Sequence, residues 1–164
     1  MKKISPHDAQ SLKTLLQKQV NAATAVLEKL KYERDALEQR NFDAIALLQK
    51  DKHSLLAQLN DAEAARQQLM QQMELDLGQT GFDEFCTQVP PQWRNAFLAL
   101  WEERRELLER CKNANEINGR ILYHTHQASE RIMATLRGQS QTQFVYTAKG
   151  GKGYVQGPRQ LAVA

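Results

Sequence analysis

Glu38-Gln39-Arg40-Asn41-Phe42-Asp43 is the stretch on which the fold turns, because long heptad-like segments lie on both sides of it. Before it, Leu16, Ala23, Leu30 and Leu37 recur every seven residues, with Val20 and Leu27 at the intervening steps. After it, Ile45, Leu48, Leu55, Leu59, Ala62, Leu69 and Met73 keep the same rhythm, interrupted by Lys52 and Arg66. A seven-residue repeat keeps one stripe of a helix facing a partner helix. Within the quoted stretch Asn41 tolerates a left-handed backbone and also caps a following helix, and Asp43 stands where that helix would begin. Turn chemistry and a break in heptad phase coincide here. The reading is a tight reversal between two antiparallel helices, each about 45–50 Å long at ~1.5 Å per residue, rather than one helix of about 70 residues.

Working outward, Ser5-Pro6-His7-Asp8 has the signature of a helix start: Ser5 to cap, Pro6 in the first helical position, Asp8 in the first turn. Between Pro6 and Gly78 there is neither proline nor glycine. Residues 78–91 read as a connector in which Phe82, Phe85 and Cys86 form a short apolar turn against the hairpin end. A third helix follows from about 92 to 136. Phe97, Leu100, Trp101, Leu107, Leu108 and Cys111 give it a strong apolar face, and Trp93 and Trp101 are expected in the core. Past Asn113 the stripe thins. Ile117, Ile121, Leu122, Ala128, Ile132 and Met133 keep helical spacing, but Asn118 and Thr125 fall where apolar residues belong, and Gly119 weakens the helix by ~1 kcal/mol relative to Ala. This stripe fits two arrangements, packing on the hairpin or presenting a surface to an amphipathic partner.

Five of the eight glycines fall in residues 138–164, which contain no Asp or Glu. Such a segment buries too little to fold alone, so disorder is expected there, with Phe144-Val145-Tyr146 and Tyr154-Val155 as apolar islands suited to docking. The expected organisation is therefore all-α. Residues 1–137 form a helical bundle (helices about 6–39, 42–77 and 92–136) and residues 138–164 a flexible tail.

Charge argues against a polyanionic partner. The chain has 22 Lys and Arg; the tail holds three of them (Lys149, Lys152, Arg159), leaving 19 in the body against 19 Asp and Glu. Balanced, interspersed charge is a solvated helical surface, not a nucleic-acid footprint. Cys86 and Cys111 stand apart from any ligand cluster and suit a reducing cytoplasm. The N-terminus lacks the apolar core of a signal peptide, and no run approaches the ~18 apolar residues of a membrane span.

Catalytic constellations are not found. His124 and His126 are two apart, on different faces of a helix, and His7 and His53 have no matched spacing. Glu102-Glu103-Arg104-Arg105-Glu106 is explained by unlike charges at i,i+3 and i,i+4. Gly150-Gly151-Lys152-Gly153 lacks the strand, spacing and following hydroxyl of a phosphate loop. The expectation is a binding protein that is not an enzyme, with no cofactor and no metal.

Glu33-Arg34-Asp35-Ala36-Leu37, Arg40-Asn41-Phe42-Asp43 and Lys50-Asp51-Lys52-His53-Ser54-Leu55-Leu56-Ala57-Gln58-Leu59 together resemble the FlgN family of flagellar export chaperones. In that family a Glu-Arg-x-x-Leu helix end turns through Arg, Asn or Asp, Phe or Leu and an acid into Glu-Lys-x-x-Leu-Leu-x-x-Leu. Asp51 departs from the usual glutamate. Ala114-Asn115-Glu116-Ile117-Asn118-Gly119-Arg120-Ile121-Leu122 resembles a second feature, an Asn-x-x-Asn-Gly step in the last long helix. The resemblance spans nearly the whole chain. It implies a cytoplasmic chaperone that holds hook–filament junction (hook-associated) proteins and delivers them to the flagellar type III export gate. Carried over, cargo binding falls on Asn118, Ile121, Leu122, Ile132 and Leu136, and export-gate docking on Phe144 and Tyr146. The alternative from a different class is a structural homodimeric coiled coil or adaptor, whose seams close between two copies.

Overall fold

The computed structural model describes residues 4–137 and the backbone of 145–146 and 152–153. The chain divides into two compact units, Met1–Leu122 and Tyr123–Ala164. The division falls within the last long helix.

In the first unit, α1 (Pro6–Glu38) opens with a capping box. The Ser5 hydroxyl accepts from the Asp8 amide at 3.1 Å, and the Asp8 carboxylate accepts from the Ser5 amide at 3.3 Å. The expected reversal is present. Arg40 takes the left-handed conformation at φ 53°, and Asn41 caps α2 (Phe42–Gln72) by accepting from the Ala44 amide at 3.1 Å. The sequence suits Asn41 to both tasks, but two adjacent residues share them.

Both helices end by the same device. Asn41 N donates to Ala36 O and Arg40 N to Leu37 O; in α2, Leu75 N donates to Met70 O and Glu74 N to Gln71 O. These are Schellman closures with Arg40 and Glu74 (φ 61°) in the position usually given to glycine. The second closure stops α2 at Gln72, five residues before the expected 77. Leu75 is thereby returned to the core beside Met70.

The connector is itself a helix, α3 (Gln79–Gln88), preceding α4 (Pro91–Leu136). α2 runs antiparallel to α1: Gln19 donates to Glu63, Lys29 pairs with Asp51, and Glu33 with Lys52. Cys111 Sγ meets Ala23 O, and the Asn118 amide meets Leu30 O, so this part of α4 runs parallel to α1. One core joins Leu12, Leu16, Met70, Phe82, Phe85, Phe97 and Trp101; a second joins Val20, Ala23, Leu27, Leu30, Leu107 and Cys111. In the first unit the described helices therefore form the expected all-α hairpin, with α4 packed along it as far as Asn118.

Lys52 and Arg66, which break the α2 stripe in sequence, are absorbed by ion pairs. Lys52 reaches Glu33 at 2.7 Å, and the buried Arg66 reaches Glu63 at 2.7 Å.

In the second unit the end of α4 closes with Arg137 N on Met133 O. Val145–Tyr146 (β1) pairs antiparallel with Lys152–Gly153 (β2), an element the helical reading did not anticipate. The residues joining them in sequence include Gly150 and Gly151, and Val and Tyr favour extended backbone. The disorder expected for the rest of 138–164 lies outside the described residues.

Candidate functional site

The inward face of α4 is built from Phe97, Trp101, Leu107 and Cys111, then Asn118. Trp101 is the most heavily used of these. Its ring stacks on Phe82 with centroids 4.1 Å apart, and its indole N–H donates to Gln79 Oε1 at 2.7 Å. The guanidinium carbons of Arg66 and Arg104 stand 5.3 and 5.1 Å from its centroid. Trp93, expected in the core beside it, is 39% exposed. It lies in the first turn of α4, where one face has less to pack against.

The two arginines converge on Glu63. Burial pushes the Glu63 carboxyl up. Hydrogen bonds from Arg66 and Gln67, with the charges of Arg66 and Arg104, outweigh this and hold it down to about 2. Gln19 also donates to Glu63 at 2.7 Å. All three long helices thus meet at one carboxylate.

A second meeting point lies two heptads further along α1. Glu33, 4% exposed, accepts from Gln49, from Lys52 and, at 2.8 Å, from the Asn118 amide. Asn118 also donates to Leu30 O at 2.8 Å and accepts from Arg34 Nε at 3.1 Å. In the sequence Asn118 stands where an apolar residue belongs. It is 3% exposed and fully engaged. Its side chain holds α4 in place and is not part of the exposed stripe.

Beyond Asn118 the helix changes character. Ile121 is half-buried and Leu122 is 47% exposed. In the second unit Tyr123, Ile132, Met133 and Leu136 are exposed, Ile132 by 60% and Leu136 by 76%. At 100° per residue, Asn118, Ile121 and Leu122 fall within about 100° of arc in the first unit, and Ile132 and Leu136 within about 40° in the second. Between them, Ser129 and Thr135 return their hydroxyls to the carbonyls of Thr125 and Arg131. Tyr146 lies in β1, while Phe144 lies outside the described residues. The chemistry on offer is burial of apolar side chains.

The other reactive groups are placed as follows. Cys86 and Cys111 are free and buried, and burial pushes both thiols up. His124 is exposed with its ring edge against Tyr123, and His126 is exposed. The described residues hold no group of three potential metal-binding side chains, and no helix among them is long and apolar enough to cross a membrane.

The sequence matches the FlgN protein family over residues 1–153. The chain is a member of the FlgN family. Its fold agrees with a crystal structure, at 1.48 Å resolution, of a Pseudomonas aeruginosa protein assigned as flagella synthesis protein FlgN. The two share 28% identity and a TM-score of 0.65, covering 77% of this chain and 94% of that one. The comparison with curated proteins returned no match. FlgN-family membership gives this chain a role in flagellar assembly, with flagellar proteins as its partners.

Sequence reasoning missed the Glu33–Asn118 and Glu63–Arg104 junctions. A signal was available: Glu33 falls on the buried stripe of α1 between Leu30 and Leu37, where a lone carboxylate demands a partner.

Proposed function

We propose that this chain is a cytoplasmic export chaperone, binding hook–filament junction proteins and delivering them to the export gate of the flagellar secretion apparatus. The observation that carries the reading is the exposure of Leu122, Ile132 and Leu136 on a helix whose earlier inward face is sealed. Each such side chain gains about 1.5–3 kcal/mol when buried. Three of them supply a reversible hold once the costs of association are subtracted. Ile121 adds a half-buried flank, and Asn118 fixes the helix from which the stripe projects.

In this reading the cargo presents an amphipathic helical segment to α4, and Phe144 and Tyr146 dock the loaded chaperone at the gate. No bond is made or broken and no cofactor is called for. Against the coiled-coil homodimer stands the occupancy of the α1 seam by α2 and α4 of the same chain.

The test is capture from a flagellated-cell lysate with the full chain and with a chain ending at Leu136. Junction proteins retained by both, with the gate component lost on truncation, is the expected result. Ile121→Asp and Leu122→Asp should abolish capture; unchanged capture by these variants would overturn the assignment. Recovery of the protein alone would favour self-association.

A further inference from the structure

Between α1 and the middle of α4, within the first unit, runs an open groove of about 560 Å³. Leu27, Leu30 and Ile117 contribute its apolar lining, and Ile117 is 36% exposed. Lys31 and Arg34 on the α1 side and Arg110 on the α4 side also line it, against a single acid, Asp35. Arg34 is anchored by Asn118 and by the Ala114 carbonyl, so its charge is fixed in the wall. Lys31 and Arg110 are exposed, and neither takes part in an ion pair among the described residues.

We infer that this groove is a second cargo contact, and that it takes an amphipathic helix whose apolar stripe is flanked by Asp or Glu. The lining runs from Leu27 to Asp35 on α1 and from Arg110 to Ile117 on α4, about 12 Å or two helical turns at ~1.5 Å per residue. A helix laid there packs against two helices at once at the usual 8–10 Å spacing. Cations stand on both walls, so carboxylates on both flanks of the incoming stripe find a partner, and a basic-flanked helix is repelled. Specificity of this kind comes from charge complementarity at the rim of an apolar contact. Three cations over an apolar floor are too few to hold a nucleic acid at cellular salt.

The inference rests on the chaperone reading and names the chemistry of the segment that reading leaves unspecified. Its test uses the full chain, a purified hook–filament junction protein and isothermal titration at low and high salt. Lys31→Glu with Arg110→Glu alters two exposed side chains, and circular dichroism confirms that the variant keeps its helices. The expected result is affinity about tenfold weaker at low salt, with the salt dependence of the wild type lost. Ile117→Asp should weaken binding at either salt. A photo-crosslinker carried on Lys31→Cys should map to a cargo helix bearing acidic flanks. Wild-type binding with unchanged affinity in the charge-reversed variant overturns the groove and leaves the chaperone standing. Failure of the wild-type chain to bind overturns both.

Discussion

Two helical glycines of this chain should respond to the same substitution with opposite signs. A Cβ at Gly81 would lie 2.0 Å from the Asp76 carbonyl oxygen and 2.6 Å from the Asp76 carbonyl carbon and nitrogen. Carbon atoms in ordinary contact sit about 3.5–4.0 Å apart, so a methyl here forces a backbone displacement of roughly 1 Å or more. No rotamer relieves a clash with main chain. The displacement would drag Phe82 and Phe85, both 0% exposed, off Trp101 and Phe97. Overpacking of this kind costs about 1–3 kcal/mol, against a helix-propensity gain of ~1 kcal/mol. A rigid backbone contact takes the cost to the top of its range or past it, so Gly81→Ala should lose about 2 kcal/mol net. That lowers Tm by about 4–8 °C for a chain of this size. Gly119, on α4, has nothing within 4 Å of its would-be Cβ. Gly119→Ala should keep the propensity gain and raise Tm by about 2–4 °C. Scanning calorimetry on both variants, with urea midpoints at fixed m, decides the matter. A Gly81→Ala protein as stable as wild type would refute the claim that Asp76 is pressed against α3.

Three further outcomes are expected. The Glu63 carboxyl is held at about 2 against an ordinary 4.5, so its contribution is complete above pH ~4.5 and is lost as pH falls through about 2. The group is partly exposed, and screening reduces that contribution to about 1–2 kcal/mol. Urea midpoints between pH 5 and 2 should fall less steeply in Glu63→Gln, and an unchanged slope would remove Glu63 from the account. Asn118→Ala strips a donor from both Glu33 and Leu30 O and should cost about 1–3 kcal/mol in urea unfolding. Asn118→Asp, which sets a second carboxylate against Glu33, should cost more; equal stability of the two variants would argue against that contact. Glu74→Gly relieves a left-handed residue worth about 1 kcal/mol of strain and should raise Tm slightly despite glycine's larger unfolded entropy, whereas a drop would show Glu74 unstrained.

The hairpin was legible because its signals are local: a capping residue, an acid behind it and a heptad phase that breaks at the same place. The early stop of α2 was not, since Glu74 carries no sequence mark of a left-handed residue. What puts it there is the gain of returning Leu75 to the core. Residues 79–88 looked like a connector because Gly78, Gly81 and a Thr stand at their start, yet Phe82, Phe85 and Cys86 on one face win the segment for a helix. Trp93 failed for a different reason: apolar character predicts burial only where a neighbour is present to bury it. At the candidate site the exposed residues were legible as a thinning stripe. Asn118 was misjudged because its partners lie 85 and 88 residues away. A polar residue on a seam reads as a gap until the group that satisfies it is known.

Gln19 and Glu33 on α1 are two heptads apart, and so are Arg104 and Asn118 on α4, the residues they meet. Leucine and alanine seams alone would let α4 slide by seven residues and still find an apolar face at every step. The two polar junctions work as a pair of alignment marks. A one-heptad slip would bring neither mark opposite its mate: Glu33 would lose the Asn118 amide and Glu63 the Arg104 guanidinium, leaving each with only its α2 cation. A lost hydrogen bond to a charged group costs about 1.5–3 kcal/mol, so losing both takes a large share of a marginally stable domain's reserve. The length of helix left beyond Asn118 is therefore not an accident of packing; it is measured out by these two contacts.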